Sequence, residues 1–138
     1  IALKAIIQDK DKLLILKKAT SDQTNQLAGW ETPGGRLEEG EDLMTGLSRE
    51  IQEETGLNVE ILHPFHAFIA NIGRDDCIIG VSYTALYQGG DVMLDKKEHN
   101  DYAWKTMQEI RGITESTGLQ KEIDAFEKYK LKNIAVKE

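Results

Sequence analysis

Cysteine and long apolar runs are scarce in this sequence, and each shortage excludes a class of protein. The single cysteine, Cys77, excludes an intramolecular disulfide and any zinc site built from several cysteines. Apolar runs extend for only a few residues, well short of the roughly 20 that a membrane-spanning helix needs. We therefore expect a cytoplasmic protein of a reducing compartment, with no membrane partner.

Basic residues are also in the minority. The chain has 17 Lys and Arg against 24 Asp and Glu, which gives a formal net charge of −7. A nucleic-acid partner is therefore not expected, because such binding needs a broad basic surface. A polyanionic small substrate is still compatible with this charge, provided that a bound cation mediates the contact.

The rest of the composition is that of an ordinary globular protein. The 138 residues are 40% hydrophobic and 30% charged, in mixed order. This length suits one domain that buries its own core, so a single domain is expected over residues 1–138. The one linker-like stretch, Gly112–Gly118, is too short to separate two domains.

The first half of the chain predicts a hairpin followed by a helix. Apolar segments on either side of the polar turn Asp9–Lys12 predict a hairpin over residues 1–18. A tight turn is expected at Pro33–Gly35, where two glycines follow a proline. From Asp42 to Thr55 apolar residues recur every four positions, which predicts a helix with Gly56 as its left-handed cap.

The second half predicts a run of strands and one longer helix. Strands are predicted at Val59–Leu62, Phe65–Ala70, Cys77–Tyr87, Val92–Leu94 and Tyr102–Trp104. A short helical turn is predicted at Met107–Ile110, and an amphipathic helix at Leu119–Leu131. This order predicts an α+β fold with a mixed β-sheet packed between helices.

Acidic side chains cluster on one face of the predicted helix. Residues three and four apart are helix neighbours, so Glu50, Glu53 and Glu54 lie together beside the apolar stripe. One interpretation is a solvated acidic face. Like charges at this spacing repel, however, and the last turns of a helix favour Lys or Arg. A bound divalent cation removes both penalties, and oxygen ligands indicate Mg²⁺ or Mn²⁺.

The same glutamates belong to a longer pattern of fixed spacing. Its members are Gly35, Glu41, Arg49-Glu50-Ile51, Glu53-Glu54 and Gly56-Leu57. This pattern resembles the Nudix box, the signature of the Nudix hydrolases, at every fixed position. The preceding segment Trp30–Gly35 resembles the lead-in of MutT-type members. Counting only the seven Gly, Glu and Arg positions of this pattern as fixed, a chance match is on the order of 10⁻⁵ for a chain of this length.

The resemblance implies both a fold and a chemistry. It implies the Nudix α/β/α sandwich and Mg²⁺-dependent hydrolysis of a nucleoside diphosphate linked to another group, with Mn²⁺ as a substitute metal. It also implies that Glu50, Glu53, Glu54 and the carbonyl of Gly34 are the metal ligands. Glu50 is alternatively the base that deprotonates water, and Arg49 holds a glutamate in place. Glu41 and the box glycines are then structural.

Residues outside the box are weaker candidates. Many family members use a further acidic residue on a later loop, which makes Glu98 a candidate metal ligand or base, with a solvated loop glutamate as the alternative. His99 is a candidate donor to a phosphate, but a surface loop histidine is the expected interpretation. Trp30 is a candidate for stacking on a base, or else a core or rim residue. Arg36 is a candidate phosphate contact, or else a solvated charge.

Substrate choice is the least constrained expectation. The region near Ile72-Gly73 lacks the proline or tyrosine found in family members that act on larger substrates. This favours MutT-like cleavage of a nucleoside triphosphate, including an oxidised one, to monophosphate and pyrophosphate. ADP-ribose or a nucleotide sugar is the first alternative, and a non-catalytic nucleotide-binding module is another. An RNA-end hydrolase fits the charge poorly. A homodimer is compatible with the family.

Overall fold

A computed structural model describes residues 1–137, with side chains placed for residues 1–133. Within this part the strands are β1 (Ala2–Asp9), β2 (Lys12–Lys18), β3 (Trp30–Glu31), β4 (Gly34–Arg36), β5 (Val59–Ala70), β6 (Ile78–Tyr87) and β7 (His99–Lys105). The helices are α1 (Leu43–Thr55), α2 (Met107–Ile113) and α3 (Thr117–Lys137). No helix in residues 1–137 has the length and apolar character needed to cross a membrane.

The strands form one mixed sheet with β1 near its centre. The order along the sheet is β3-β2-β1-β6-β5, while β4 pairs with β1 and β7 pairs with β2. Strand β1 runs antiparallel to β2 and β4 but parallel to β6, from Ala2 opposite Gly80 to Gln8 opposite Leu86. The predicted mixed sheet is therefore confirmed.

Helices cover both faces of the sheet, as predicted. Alternate residues of a strand point to opposite faces, which divides the buried side chains of β1 and β2 between two cores. Leu3 and Ile7 of β1 pack in one core with Ile51 of α1. Ile6 packs in the other core with Phe126 of α3. Burial on both faces explains why the first two strands are almost continuously apolar.

Helix α1 ends at the predicted residue, Thr55, and begins at Leu43, one residue after the predicted start at Asp42. The side chain of Asp42 accepts hydrogen bonds from the backbone N–H groups of Met44 and Thr45, which caps the amino end. Gly56 has φ of 72°, in the left-handed region, and its N–H donates to the carbonyl of Gln52. These two caps fix which residues the last turns of α1 present to the sheet.

Three of the predicted strands differ from the structure. The predicted strands Val59–Leu62 and Phe65–Ala70 form one strand, β5, which continues through Pro64 with pairing irregularities on both sides of it, because an edge strand tolerates a residue without an N–H. The predicted strand Val92–Leu94 is wrong, since this segment pairs with no strand in the described part of the chain. Instead, the N–H of Met93 donates to the carbonyl of Thr55 at the end of α1, 2.8 Å away.

Candidate active site

The carboxyl half of α1 lies against the turn that starts β4. The backbone N–H of Gly34 donates to Oε1 of Glu54 over 2.9 Å. The neighbouring Gly35 lies so close to Glu50 that a Cβ added to it would be 2.3 Å from Oε2 of that side chain. Two of the box glutamates are thus held directly against the two glycines.

Arg49 ties together the acidic residues around this turn. Its Nε and Nη2 donate to Oε2 and Oε1 of Glu41 over 2.7 and 2.8 Å, a two-pronged contact that lowers the pKa of Glu41 to about 2. Its Nη1 lies 3.1 Å from Oε1 of Glu50 and 3.1 Å from Oε2 of Glu53. One guanidinium therefore offsets the repulsion among several carboxylates and connects the loop before α1 to the helix.

The box glutamates differ sharply in their surroundings. The side chain of Glu53 is 56% exposed, whereas that of Glu54 is 11% exposed. Burial raises the pKa of Glu54 to about 7, even though the N–H of Gly34 lowers it. Burial also raises the pKa of Glu50, against the opposing effect of Arg49. The site thus holds a buried carboxyl group that exchanges its proton near neutral pH.

His99 is buried behind Glu54, so the expectation of a surface histidine is wrong. It opens β7, opposite Lys18 of β2, and its side chain is 2% exposed. Its Nε2 lies 2.8 Å from Oε2 of Glu31, and its Nδ1 lies 3.4 Å from Oε2 of Glu54. The sequence pattern carried no signal for this burial, because His99 lies three positions before the start of the predicted strand Tyr102–Trp104.

The carboxylate of Glu31, which contacts His99, also contacts two lysine side chains. Lys4 Nζ donates to Oε1 of Glu31 over 3.0 Å, and Lys18 Nζ lies 3.8 Å from the same oxygen. Burial raises the pKa of Glu31, but Lys4, His99 and Lys18 outweigh it and hold the value at about 2. Glu31 is therefore a permanent acceptor at neutral pH.

A cavity of about 690 Å³ adjoins this group of charges. It lies between the sheet and the start of α3, with Lys4 and Glu31 in its wall and Phe68 and Leu119 as apolar lining. Its most buried acid is Glu122, which accepts hydrogen bonds from Ser82 and Thr32 and whose pKa is raised by burial. The size, together with mixed apolar and polar lining, suits a small polar ligand such as a nucleoside.

The candidates outside the box are spread around this cavity and turn. Trp30 lines the cavity but is only 8% exposed, and its indole N–H donates to the carbonyl of Gln26. Arg36 is exposed and pairs with Asp76, with 3.5 Å between Nη2 and Oδ2. Glu98 lies on an exposed turn directly before His99. The roles predicted for these three side chains stay predictions.

The donor chemistry of this site fits a hard divalent cation. Glu50, Glu53 and Glu54 offer carboxylate oxygens, and the unpartnered Nδ1 of His99 faces Oε2 of Glu54. Within residues 1–137, no three acidic, histidine or cysteine side chains already converge on one point. The reason is visible in the contacts: Arg49 bridges Glu50 and Glu53, while Glu54 is turned toward Gly34.

Comparison with known proteins places these features in a family. The NUDIX domain family model matches residues 1–128. An RNA pyrophosphohydrolase of Pelagibacter ubique is 23% identical over 143 residues, which covers 91% of this chain and 87% of that protein. An 8-oxo-dGTP diphosphatase of Buchnera aphidicola is 41% identical over 54 residues. That second match spans only 39% of this chain and 40% of the relative.

Solved structures agree with the sequence comparison. The crystal structure of the MutT protein from Methanosarcina mazei Go1 superposes with a TM-score of 0.75 at 27% identity. The match covers 96% of this chain and 93% of that one. The sheet with helices on both faces is thus shared over nearly the whole described chain.

Proposed function

Because this chain belongs to the Nudix hydrolase family, we propose that it cleaves the pyrophosphate linkage of a nucleoside triphosphate, with Mg²⁺ as cofactor, to monophosphate and pyrophosphate. The observation that carries the proposal is the packing of Glu50 and Glu54 against Gly35 and Gly34 beside the cavity. The box glutamates do not themselves line the cavity, but Glu31 in its wall contacts His99, which faces Oε2 of Glu54.

Each residue of the box has a distinct role in this proposal. Glu50, Glu53 and Glu54, with the carbonyl of Gly34, would hold the Mg²⁺, for which Mn²⁺ is the expected substitute. When bound, the metal neutralises phosphate oxygens and makes a bound water more acidic. Arg49 restrains Glu50 and Glu53 and does not contact substrate. Water adds at phosphorus, its proton passes to a carboxylate (Glu50 or Glu98), and the bond to the leaving phosphate oxygen breaks.

A triphosphate is favoured over other pyrophosphates by two observations. The Buchnera relative is named for a diphosphatase activity on an oxidised purine triphosphate, and the region near Ile72 lacks the features of members that act on larger substrates. ADP-ribose or a nucleotide sugar is the next candidate, because the cavity of about 690 Å³ has room for a second polar group. Trp30 and Arg36 are the proposed contacts to base and phosphate.

Two alternatives of other kinds rest on weaker support. An RNA substrate is suggested by the Pelagibacter relative, but the formal net charge of −7 disfavours binding of a long polyanion. A regulatory module that binds nucleotides without cleaving them is disfavoured by the complete set of box carboxylates. We propose a cytoplasmic location, with which the free, exposed thiol of Cys77 is compatible.

A nucleotide screen tests the proposed function directly. The purified protein is incubated with normal and oxidised nucleoside triphosphates, ADP-ribose, a nucleotide sugar and 5′-triphosphorylated RNA, each with Mg²⁺ or with a chelator. Release of pyrophosphate and monophosphate from a triphosphate, abolished by the chelator, is the expected result. Preferential turnover of ADP-ribose or RNA would replace the substrate assignment, and tight binding without turnover would support the regulatory module.

Glu98 is tested by its isosteric variant. We expect Glu98→Gln to lower kcat by about 10²-fold, in the range of general-base removal, and to leave the thermal midpoint unchanged because the side chain is exposed. The control is Glu39→Gln, which removes an equally exposed carboxylate from the loop before α1. Turnover of the Glu98 variant equal to that of the control would remove Glu98 from the mechanism and leave Glu50 as the base.

A further inference from the structure

Glu122 is a buried acid to which the proposed reaction assigns no role. It lies on α3, is 6% exposed and lines the cavity. Thr32 Oγ1 donates to Oε1 of Glu122 over 2.9 Å, and Ser82 Oγ donates to Oε2 over 2.7 Å. Among the described side chains it makes no ion pair, since Nζ of Lys4 is instead bonded to Glu31 and to the carbonyl of Thr32. Buried carboxylates are rarely left without a cation, so this one calls for an explanation.

The carboxyl group of Glu122 has unused capacity to accept hydrogen bonds. An ionised carboxyl group offers about four acceptor sites. The hydroxyl groups of Thr32 and Ser82 supply one proton each, which fills about half of these sites. Burial raises the pKa of Glu122, and hydrogen bonds from the N–H groups of a ligand oppose this effect, because they stabilise the ionised form. The complement of this side chain is therefore a ligand with neighbouring N–H groups.

The cavity also has a flat aromatic wall. The ring of Phe68 lies directly over Gly80, where an added Cβ would be 2.1 Å from Cζ of the ring. His66 stacks beside Phe68, with 5.8 Å between the ring centroids and 21° between the ring planes. Both rings line the same cavity as Glu122. Flat rings beside a buried hydrogen-bonding group are the features that bind a nucleobase, whose faces are apolar and whose edge is polar.

We propose that Glu122 is the residue that selects the base: its carboxylate accepts two neighbouring N–H groups of the ring edge, which makes the cavity specific for guanine nucleotides. Guanine presents N1–H and the exocyclic N2–H side by side, whereas adenine and cytosine place a donor beside an acceptor. Uracil and thymine present a single N–H between two carbonyl groups. The inference rests on the proposed function in one respect, namely that the base of the substrate occupies this cavity.

A base analogue and an isosteric variant isolate these two hydrogen bonds. Hypoxanthine, the base of inosine, differs from guanine only in lacking the exocyclic amino group. Glu122→Gln keeps an acceptor for Thr32 and Ser82 but replaces one carboxylate oxygen with an N–H donor, which suits the edge of adenine or hypoxanthine as well as that of guanine. The matched control is Glu127→Gln, because Glu127 is an exposed acid on the same helix that pairs with Arg111.

The direct measurement is the binding of guanosine, inosine and adenosine monophosphates by calorimetry, without a divalent cation. We expect the wild type to bind the guanosine nucleotide about 10–100-fold more tightly than the inosine nucleotide, since a site built to hydrogen-bond an N–H group rejects the analogue that lacks it. Glu122→Gln should bring this ratio close to one and improve the binding of adenosine monophosphate, whereas Glu127→Gln should keep the wild-type order. In triphosphate turnover the same ratios should appear in KM rather than in kcat. A side chain that only ties α3 to the sheet would not change the order of the bases.

Several outcomes would overturn the inference. Equal binding of the guanosine and inosine nucleotides by the wild type would do so, as would a wild-type ratio retained by a folded Glu122→Gln protein. If that variant does not fold, Glu122→Asp takes its place, because it withdraws the same carboxylate by one methylene group, and an unchanged ratio there would also overturn the inference. If the wild type hydrolyses no triphosphate, the proposed function fails, but the monophosphate comparison still decides this one. Hydrolysis of triphosphates with no preference for guanine removes this inference alone.

Discussion

Replacing Glu54 with glutamine is expected to lower nucleotide turnover by about 10²-fold or more while making the protein harder to unfold. The loss corresponds to about 3 kcal/mol of catalysis, within the range of a metal ligand. The gain in stability arises because the ionised form of Glu54 destabilises the fold, since burial raises the pKa of this group to about 7. Glutamine retains the acceptor for the N–H of Gly34 without carrying a charge.

The pH dependence of this stabilisation has a defined sign. The unfolded carboxyl has a pKa of 4.5 and the folded one a pKa of about 7, so the folded wild type binds the extra proton between these values. Wild-type stability therefore falls as pH rises through this window, and the glutamine variant escapes that loss. The difference in thermal midpoint, measured without divalent cations, should be near zero at pH 4 and largest above pH 7.

If the difference in thermal midpoint between wild type and variant stays constant across that pH range, ionisation of the buried carboxylate is not its cause. The control is Glu39→Gln, whose carboxyl group is exposed, and which should change neither turnover nor the thermal midpoint. The combination of lost activity and gained stability is typical of residues whose burial serves function at the expense of the fold.

Replacing Gly35 with alanine is the second large effect we expect. The added Cβ would lie 2.3 Å from Oε2 of Glu50, so the carboxylate must move. Since displacement of a reacting group by about 1 Å can cost about 10²-fold in rate, we expect a loss of that size in kcat. The thermal midpoint should change little, because the clashing atoms are the far end of a flexible side chain. The measurement is steady-state turnover together with a thermal melt.

Two other glycines provide the controls for this variant. Gly112→Ala adds a Cβ in open space within α2, so it should keep full activity and stabilise the fold by about 0.5–1 kcal/mol. Gly34→Ala should unfold the protein instead, because its φ is 150° and the new Cβ would lie 2.0 Å from the carbonyl oxygen of Leu3. A Gly35→Ala protein with wild-type turnover would show that the position of Glu50 is not critical.

The parts of the structure that sequence predicted are those governed by local rules. The helix Leu43–Thr55 follows from apolar spacing together with Gly56 as its cap, although Asp42, which the spacing placed in the helix, is its N-cap. The hairpin of β1 and β2 follows from apolar segments on either side of a polar turn. Both depend on neighbours in the chain, which a pattern of residues records.

The parts that sequence missed depend on contacts between distant segments. His99 is buried because β7 pairs with β2, which sets the ring between Glu31 and Glu54. The segment Val92–Leu94 has the composition of a strand, yet the N–H of Met93 donates to the carbonyl of Thr55 at the end of α1. In both cases a contact with a residue remote in sequence determines the structure, and local strand propensity does not predict such a contact.

The parallel pairing of β1 with β6 has a consequence for synthesis of the protein. Strand β1 leaves the ribosome before its partner β6, which begins at Ile78 and follows only after the whole of α1 has been made. Until then β1 presents an apolar edge with unpaired backbone groups, a surface prone to aggregation. Nascent chains that end before Ile78 should therefore need chaperones, because β1 has no partner along this edge until β6 has been made.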